Sequence, residues 1–226
     1  MTDAAMQAET PKIEFYTAPQ HAFLLEAAPP VPANQALPRW YRDTEPHYRK
    51  QTQFQVYPPE LRLRQNATVK SCPGIRDYLS GGYVLPLWAD FAITFDEAGY
   101  RWEAPHPDFT IDKHDPDQYA NMPKPGFPVA LKFMSPWFCR TPPGYSVRFL
   151  PLLYHFEQLW WAMPGVIHTD VLHATHVNTI FHVPKGQIVL PQGTPLVHIV
   201  PFRRERYDLE LHVASKEDQV EEEQMG

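Results

Sequence analysis

Five of the eleven histidines in this 226-residue chain fall between His155 and His182, and Asp170 lies among them. Imidazole nitrogens and carboxylates are ligands that bind Fe(II) and related metal ions. His168 and Asp170 are two residues apart, and a strand through this segment would project both side chains from one face. A third ligand on a neighbouring strand would complete a two-histidine, one-carboxylate set, which leaves three positions open on Fe(II). The segment therefore predicts a metal site.

The third predicted ligand is His198 in the segment PLVHIVPF, which we expect to form a later strand beside the first. Arg203 and Arg204 follow it, and a guanidinium can hold the carboxylate of a cosubstrate such as 2-oxoglutarate in a bidentate pair. The predicted catalytic and metal-binding set is therefore His168, Asp170 and His198, with Arg203 and Arg204 as cofactor-binding residues. The segment PQGTPLVH also has the Pro-x-Gly turn before a histidine that is seen in cupins, which makes a cupin variant the related alternative.

Aromatic residues and two further histidines are candidate substrate contacts. Trp160 and Trp161 could stack on a sugar or another planar substrate, and His176 and His182 follow them in the sequence. The plainer interpretation is that the tryptophans pack in the core or against a protein. On a strand, His176 and His182 would share one polar face opposite an apolar core face, so these histidines could equally be structural or solvated.

Composition excludes several classes of function. The net charge is −6, five acids fall within residues 217–223, and no basic stripe is present, so we expect no nucleic-acid partner. No apolar run approaches the roughly 20 residues that a membrane span needs. Two cysteines, Cys72 and Cys139, cannot form a disulfide framework, which favours a reducing, cytoplasmic setting. Cys139 and Ser146 lack an adjacent base at a recognisable spacing, which argues against nucleophilic catalysis.

Short apolar runs recur at roughly ten-residue spacing, with proline and glycine between them, and this pattern predicts an all-β fold. The runs include AFLLE (22–26), VIHTDVLH (166–173) and the ambiguous LLYHFEQLWWAM (152–163), whose aromatic composition favours a strand. One short helix is predicted over GIRDYLS (74–80), with Ser71 as its N-cap. The predicted architecture is a jelly-roll or cupin-like double-sheet barrel with one or two short helices.

The predicted domain organisation is simple, because the length alone gives no reason to divide the chain. Three segments are expected in chain order: a disordered N-terminus (1–11), a single β domain (12–212) and an acidic disordered tail (213–226). Within the domain, a proline-rich arm (27–41) should lie across the surface with Trp40 and Tyr41 as anchors. The long loop 104–127 is a candidate lid over a substrate site.

A set of motifs resembles a family of uncharacterised proteins found in tailed phages and some bacteria. The motifs are KSCPGIRDYLSGGYVLPLWAD (70–90), TPPGYSVRFLPL (141–152), GVIHTD (165–170) and LPQGTPLVHIVPFRRE (190–205), in matching order and spacing. With ALPRWY (36–41), the resemblance touches most of residues 30–205. It implies kinship with phage-related proteins and no particular activity. Where this chain has His168, we expect an acid more often in relatives.

Two functional hypotheses from different classes follow. The first is a metal-dependent enzyme, specifically a non-haem iron oxygenase that uses Fe(II), and 2-oxoglutarate as a cosubstrate, on a small molecule or modified residue. The second is a non-catalytic β module that binds a partner protein or assembles with itself through the arm (27–41) and exposed aromatic residues. A metal-free enzyme that uses these histidines as acid or base is the third alternative.

Overall fold

The computed structural model describes residues 10–47, 67–97, 99–113, 129–182, 185–216 and 218–220. Its strands are β1 (Glu14–Thr17), β2 (Val31–Pro32), β3 (Tyr83–Pro86), β4 (Phe91–Asp96), β5 (Gly99–Glu103), β6 (Ile111–Lys113), β7 (Val129–Phe133), β8 (Trp137–Arg140), β9 (Tyr145–Leu150), β10 (Trp160–Ala162), β11 (Gly165–Ile167), β12 (Val177–Phe181), β13 (Gly186–Leu190) and β14 (Pro195–Arg203). The α-helices are α1 (Leu24–Ala27), α2 (Arg39–Asp43) and α3 (Pro73–Ser80). Short 3-10 turns cover Pro19–His21, Ala33–Gln35 and Val69–Ser71. No helix in the described ranges has the length and apolar character needed to cross a bilayer.

The strands form four antiparallel sheets within the described residues. The two larger sheets have the strand orders β10-β12-β7-β6 and β11-β9-β14-β3-β2, and the smaller ones are β1-β8 and β13-β4-β5. None of these sheets closes into a barrel. The prediction of an all-β, double-sheet fold is therefore confirmed, and the structure is consistent with a sandwich of open antiparallel sheets.

Strand alternation builds the core, because every second side chain of a strand points to the same face. In β4 the buried residues are Phe91, Ile93 and Phe95, and in β12 residues 177, 179 and 181 are buried while 178 and 180 are half-buried. Buried apolar side chains from different sheets form one continuous cluster, which includes Leu85, Phe91, Leu131, Phe133, Val147, Val177, Phe181 and Ile199. Each fully buried apolar side chain contributes about 1.5–3 kcal/mol to stability.

Helix α3 confirms the helix predicted over residues 74–80, but its start differs in detail. Cys72 is the N-cap and makes no side-chain capping bond. The predicted cap, Ser71, instead donates its hydroxyl to the carbonyl of Pro46, 2.9 Å away. Ser71 is therefore used in a tertiary contact between two chain segments and not in a local helix cap.

The strand predicted over AFLLE was wrong, and the strand predicted over 152–163 was correct only in part. The segment AFLLE contains helix α1, in which Leu24 is completely buried, because leucine, alanine and glutamate are strong helix formers. The segment 152–163 forms a strand only over β10. Most of the loop 104–127, the predicted lid, lies outside the described residues.

Part of the proline-rich arm forms β2, the edge strand of the sheet that contains β3 and β14. Ala33 packs against Val84 and Leu152 in a second, small apolar cluster. Of the two expected anchors, Tyr41 is buried and Trp40 donates its indole N–H to the carbonyl of Tyr154 at 2.7 Å. The arm is not fully extended, since it contains a 3-10 turn and the start of α2.

Candidate functional site

The predicted ligands His168, Asp170 and His198 do not come together. The strand through VIHTDVLH ends at Ile167, and the amides of Val171 and Leu172 donate to the carbonyl of His168 in a turn. The expectation that a strand projects His168 and Asp170 from one face is therefore wrong. Their ligand atoms also fail to form a group with His198 within 4.8 Å of one another.

His198 is fully enclosed in β14 and is bonded to protein. Its side chain is 3% exposed, and Nε2 donates to the carbonyl of Gly81. The ring lies 5.3 Å from the ring of Tyr78 on α3, edge to face. Burial lowers the pKa of His198 despite the opposing effect of the Gly81 carbonyl. The histidine is therefore a neutral core residue that links β14 to the end of α3.

Asp170 is an ion-pair partner in this structure. Both terminal nitrogens of Arg204 donate to its two carboxylate oxygens, and the amide of Gly144 donates at 2.9 Å. These hydrogen bonds, Arg204 first, hold the pKa of Asp170 well below its usual range. Arg204 also donates to Ser146 Oγ at 2.7 Å, and Arg203 lies 3.3 Å from a carboxylate oxygen of Glu205. Both expected cosubstrate-binding arginines therefore have acidic protein partners.

The expected substrate contacts divide between the core and the surface. Trp160 is 3% exposed and packs against Phe181 with ring centroids 5.7 Å apart. Trp161 is 61% exposed, and its ring lies 4.2 Å from that of His182. His176 is half-buried, and burial lowers its pKa, with Lys132 adding to the effect. Trp161, His176 and His182 thus remain accessible or partly accessible, whereas Trp160 belongs to the core.

A different group of metal-ligand side chains converges. Among the described residues, the ligand atoms of His21, His106 and Asp108 all lie within 4.8 Å of one another. Asp108 Oδ2 is 3.2 Å from His21 Nε2 and 3.9 Å from His106 Nδ1. His21 ends the 3-10 turn after β1, while His106 and Asp108 lie between β5 and β6. Two segments far apart in the chain therefore supply one cluster.

Packing around Phe109 holds this His21–His106–Asp108 cluster together. Phe109 is 2% exposed, and its ring lies 5.3 Å from that of His21 and 5.2 Å from that of His106. The two imidazoles meet edge to face at 6.0 Å. His21 is 7% exposed, whereas the side chains of His106 and Asp108 are about half exposed. The cluster has a buried wall and an open side.

One backbone hydrogen bond orients the His106 ring. The backbone N–H of Asp108 donates to His106 Nδ1 at 3.2 Å. The lone pair of Nδ1 is therefore directed at this amide, and Nδ1 has to exchange the hydrogen bond for a metal ion in order to act as a ligand.

The sequence contained a signal for this cluster. His106-Pro107-Asp108 has the same His-x-Asp spacing as His168-Thr169-Asp170, and both motifs are visible in the printed sequence. What distinguishes them is the third ligand. His21 is 87 residues from Asp108, and no local pattern connects residues at that separation.

The nucleophile candidates are inactive in this fold. Cys139 is completely buried, and burial raises the pKa of its thiol to about 12. Ser146 is also completely buried, with its hydroxyl oxygen accepting from Arg204. A thiol that stays protonated and a serine with no access to solvent cannot attack a substrate.

No protein-family model and no curated protein sequence matches this chain. The resemblance to the family of phage proteins therefore stays a prediction, and the function has to be argued from the site itself.

Proposed function

We propose that this protein is a metal-dependent enzyme whose ion is bound by His21, His106 and Asp108. The convergence of two imidazoles and one carboxylate is the observation that carries the proposal. These ligand types are the ones that the sequence predicted, but they belong to other residues than the predicted ones. The scaffold is an all-β sandwich, which can hold ligands from distant segments in fixed positions.

The observed distances suit a shared ion. Two ligand atoms that are each about 2.1 Å from one ion lie about 3.0 Å apart at right angles and about 3.4 Å apart in a tetrahedron. The separation of 3.2 Å between His21 Nε2 and Asp108 Oδ2 is already in this range. The separation of 3.9 Å from His106 Nδ1 to the same oxygen needs a small rotation of the half-exposed His106 ring.

Three protein ligands leave coordination positions for water, oxygen or substrate. The two-histidine, one-carboxylate set is the arrangement of non-haem Fe(II) oxygenases, so Fe(II) is the proposed ion and oxygen activation the proposed reaction class. The exposed side of the cluster gives a small molecule or a modified residue access to the ion. A cytoplasmic setting accords with this proposal, because Cys72 and Cys139 are both free thiols and Fe(II) needs reducing conditions.

The arginines expected to hold the cosubstrate are already paired with acidic side chains. Arg203 and Arg204, which were expected to hold 2-oxoglutarate, are paired with Glu205 and Asp170. We therefore propose the ion and its open coordination positions. Whether 2-oxoglutarate serves as a cosubstrate is tested by adding it in activity assays.

Metal loading tests the proposal directly. Purified, untagged protein is loaded with Fe(II) under anaerobic conditions, desalted and subjected to elemental analysis. We expect about one iron per chain, and loss of the iron in His106→Ala and in Asp108→Asn, because each substitution removes one of three ligands. Nitric oxide added to the Fe(II) protein should give the electron paramagnetic resonance signal of an iron–nitrosyl complex, which reports an open coordination position.

His168→Ala is the matched control, because His168 is an exposed histidine in the other His-x-Asp motif. This variant should bind iron like the wild type. No stoichiometric Fe(II), Co(II), Mn(II) or Zn(II) in the wild type would refute the proposal. Loss of metal in His168→Ala with retention in His106→Ala would also refute it, in favour of the site first expected from the sequence.

A second candidate function, self-association, is favoured by an apolar strip next to the arm. Leu153, Phe156 and Leu159 are 58%, 73% and 42% exposed. Leu159 also lines an open groove of about 680 Å³, together with Leu37 of the arm and Pro191. Exposed apolar patches of this kind mark protein contacts. If this strip joins two copies, the wild type should elute as a dimer in size-exclusion chromatography and Phe156→Ser as a monomer.

A further inference from the structure

One face of the sheet β10-β12-β7-β6 carries an ordered set of side chains that the metal site does not use. Residues that alternate with the buried core positions project from it, and we call it the outer face. Strand register places its side chains in two rows. The first row contains Trp161, Ile180 and Ala130, and the second contains Asn178, Lys132 and Asp112.

The first row is apolar and is dominated by one exposed aromatic ring. Trp161 is 61% exposed, although its neighbour Trp160 is buried on the opposite side of the same strand. His182 fixes the indole from one edge, with ring centroids 4.2 Å apart and planes at 62°. An indole that is held in place and open to solvent offers a flat stacking surface at low entropic cost.

The second row is polar and contains an unsatisfied group. Asn178 Oδ1 on β12 is buried, and so is Nδ1 of His176, which lies just before the first residue of that strand. Neither atom has a hydrogen-bond partner in the part of the chain that the structure describes. Both atoms lie below the surface, so the charged groups that the second row offers to a ligand are the half-buried Lys132 and the exposed Asp112.

The composition of the outer face argues against a protein partner and against a nucleic-acid partner. Lys132 on β7 and Asp112 on the edge strand β6 place charges on this face, whereas the centre of a protein–protein interface is depleted of charged residues. The chain has a net charge of −6, and this face presents one lysine and one aspartate, so it has no excess of positive charge to attract phosphates.

We infer that the outer face binds a carbohydrate, with a sugar ring stacked on Trp161 and its hydroxyl groups bonded along the row of Asn178, Lys132 and Asp112. Successive rows on a strand face are about 7 Å apart, which a sugar residue and its neighbour in an oligosaccharide span. The apolar C–H face of the ring covers the indole, and the hydroxyls satisfy the polar row. This inference does not depend on the metal site, because the two share no residue.

Binding of defined oligosaccharides tests the inference. The full chain is titrated calorimetrically with hexasaccharides of β-1,4-linked glucose, xylose, mannose and N-acetylglucosamine and of β-1,3-linked glucose. We expect at least one of them to bind and to change the tryptophan fluorescence. Trp161→Ala should weaken that binding at least 10-fold, because the stacking surface is lost, and Asn178→Ala should weaken it less. Trp161→Phe should retain part of the affinity.

The matched control is Tyr207→Ala, which removes another exposed aromatic ring, 85% exposed, from the segment that follows β14. This variant should bind the same sugar as the wild type does. Circular dichroism of each variant separates loss of binding from loss of fold. The inference is overturned if no sugar of the panel binds, if Trp161→Ala binds as well as the wild type, or if Trp161→Ala converts a dimer to a monomer.

Discussion

Arg204 donates hydrogen bonds from both terminal nitrogens to the carboxylate of Asp170. Arg204 follows β14 and Asp170 lies in the turn after β11, so the pair joins two segments that are 34 residues apart. Gly144 and Ser146, at the start of β9, are bonded to the same pair. This arrangement gives Asp170 a structural role, and it leads to the first prediction.

We expect Asp170→Asn to lower the melting temperature at pH 7 and to leave metal binding unchanged. The folded-state pKa of Asp170 lies below its ordinary value of 3.8. Its contribution to stability is therefore present above about pH 3.8 and is lost as the pH falls through the folded-state pKa. The difference in melting temperature between wild type and variant should shrink in acid. Scanning calorimetry from pH 2 to pH 7 checks this, and equal melting temperatures at pH 7 would contradict it.

A second prediction concerns the buried histidines His155 and His198, which are 8% and 3% exposed. Burial lowers the pKa of both below the ordinary value of 6.5. The unfolded chain therefore takes up protons below about pH 6.5 before the folded chain does, and the free energy of unfolding falls as the pH drops from there. The limiting slope is about 1.4 kcal/mol per pH unit for each histidine.

Urea unfolding at a series of pH values from 7.5 to 5 measures this slope. His155→Gln removes one of the titrating groups and should give a shallower decline than the wild type. His168→Gln is the control, because His168 is exposed and should leave the slope as it is. A wild-type stability that is constant across this range would show that the buried histidines do not resist protonation.

The third prediction contrasts the adjacent tryptophans. Trp160→Ala removes a core side chain that is 3% exposed and should cost about 3–5 kcal/mol of unfolding free energy. Trp161→Ala removes a ring that is 61% exposed and should cost less than about 1 kcal/mol. Urea denaturation of the two variants measures both values. Similar losses in the two variants would mean that β10 does not have the observed orientation.

The fourth prediction concerns two glycines with nearly the same backbone conformation. Gly82 and Gly144 have φ angles of +75° and +83°. A Cβ atom on Gly82 would overlap the carbonyl oxygen of Ile199, whereas nothing lies within 4 Å of one on Gly144. Gly144→Ala should therefore cost about 1–2 kcal/mol from the positive φ alone. Gly82→Ala should cost clearly more, since β14 must also move, and unfolding experiments on the pair separate the two effects.

Much of the fold could be predicted because strand alternation is a local property. The buried residues of β4 and β12 follow the two-residue period that is visible in DFAITF and VNTIF. The strand prediction was wrong in two segments. AFLLE became α1, and the strand through His168 stopped at Ile167 because the chain turns there.

The candidate site could be predicted in its chemistry but not in its position. Two histidines and one aspartate were expected, and His21, His106 and Asp108 are such a set. Asp170 satisfied the same local His-x-Asp spacing, but the fold pairs it with Arg204. A local motif supplies two ligands at most, and the third is decided by which distant segment packs beside them.

The sequence by itself determined the all-β class, the helix over residues 74–80 and the faces of the longer strands, because these depend on backbone geometry and on the nearest neighbours in the chain. The tertiary structure alone decided which histidines converge and which tryptophan faces solvent. Strand order and loop paths set those positions. They bring His21 within 3.2 Å of Asp108 across 87 residues of chain, a relationship that depends on how the whole core packs.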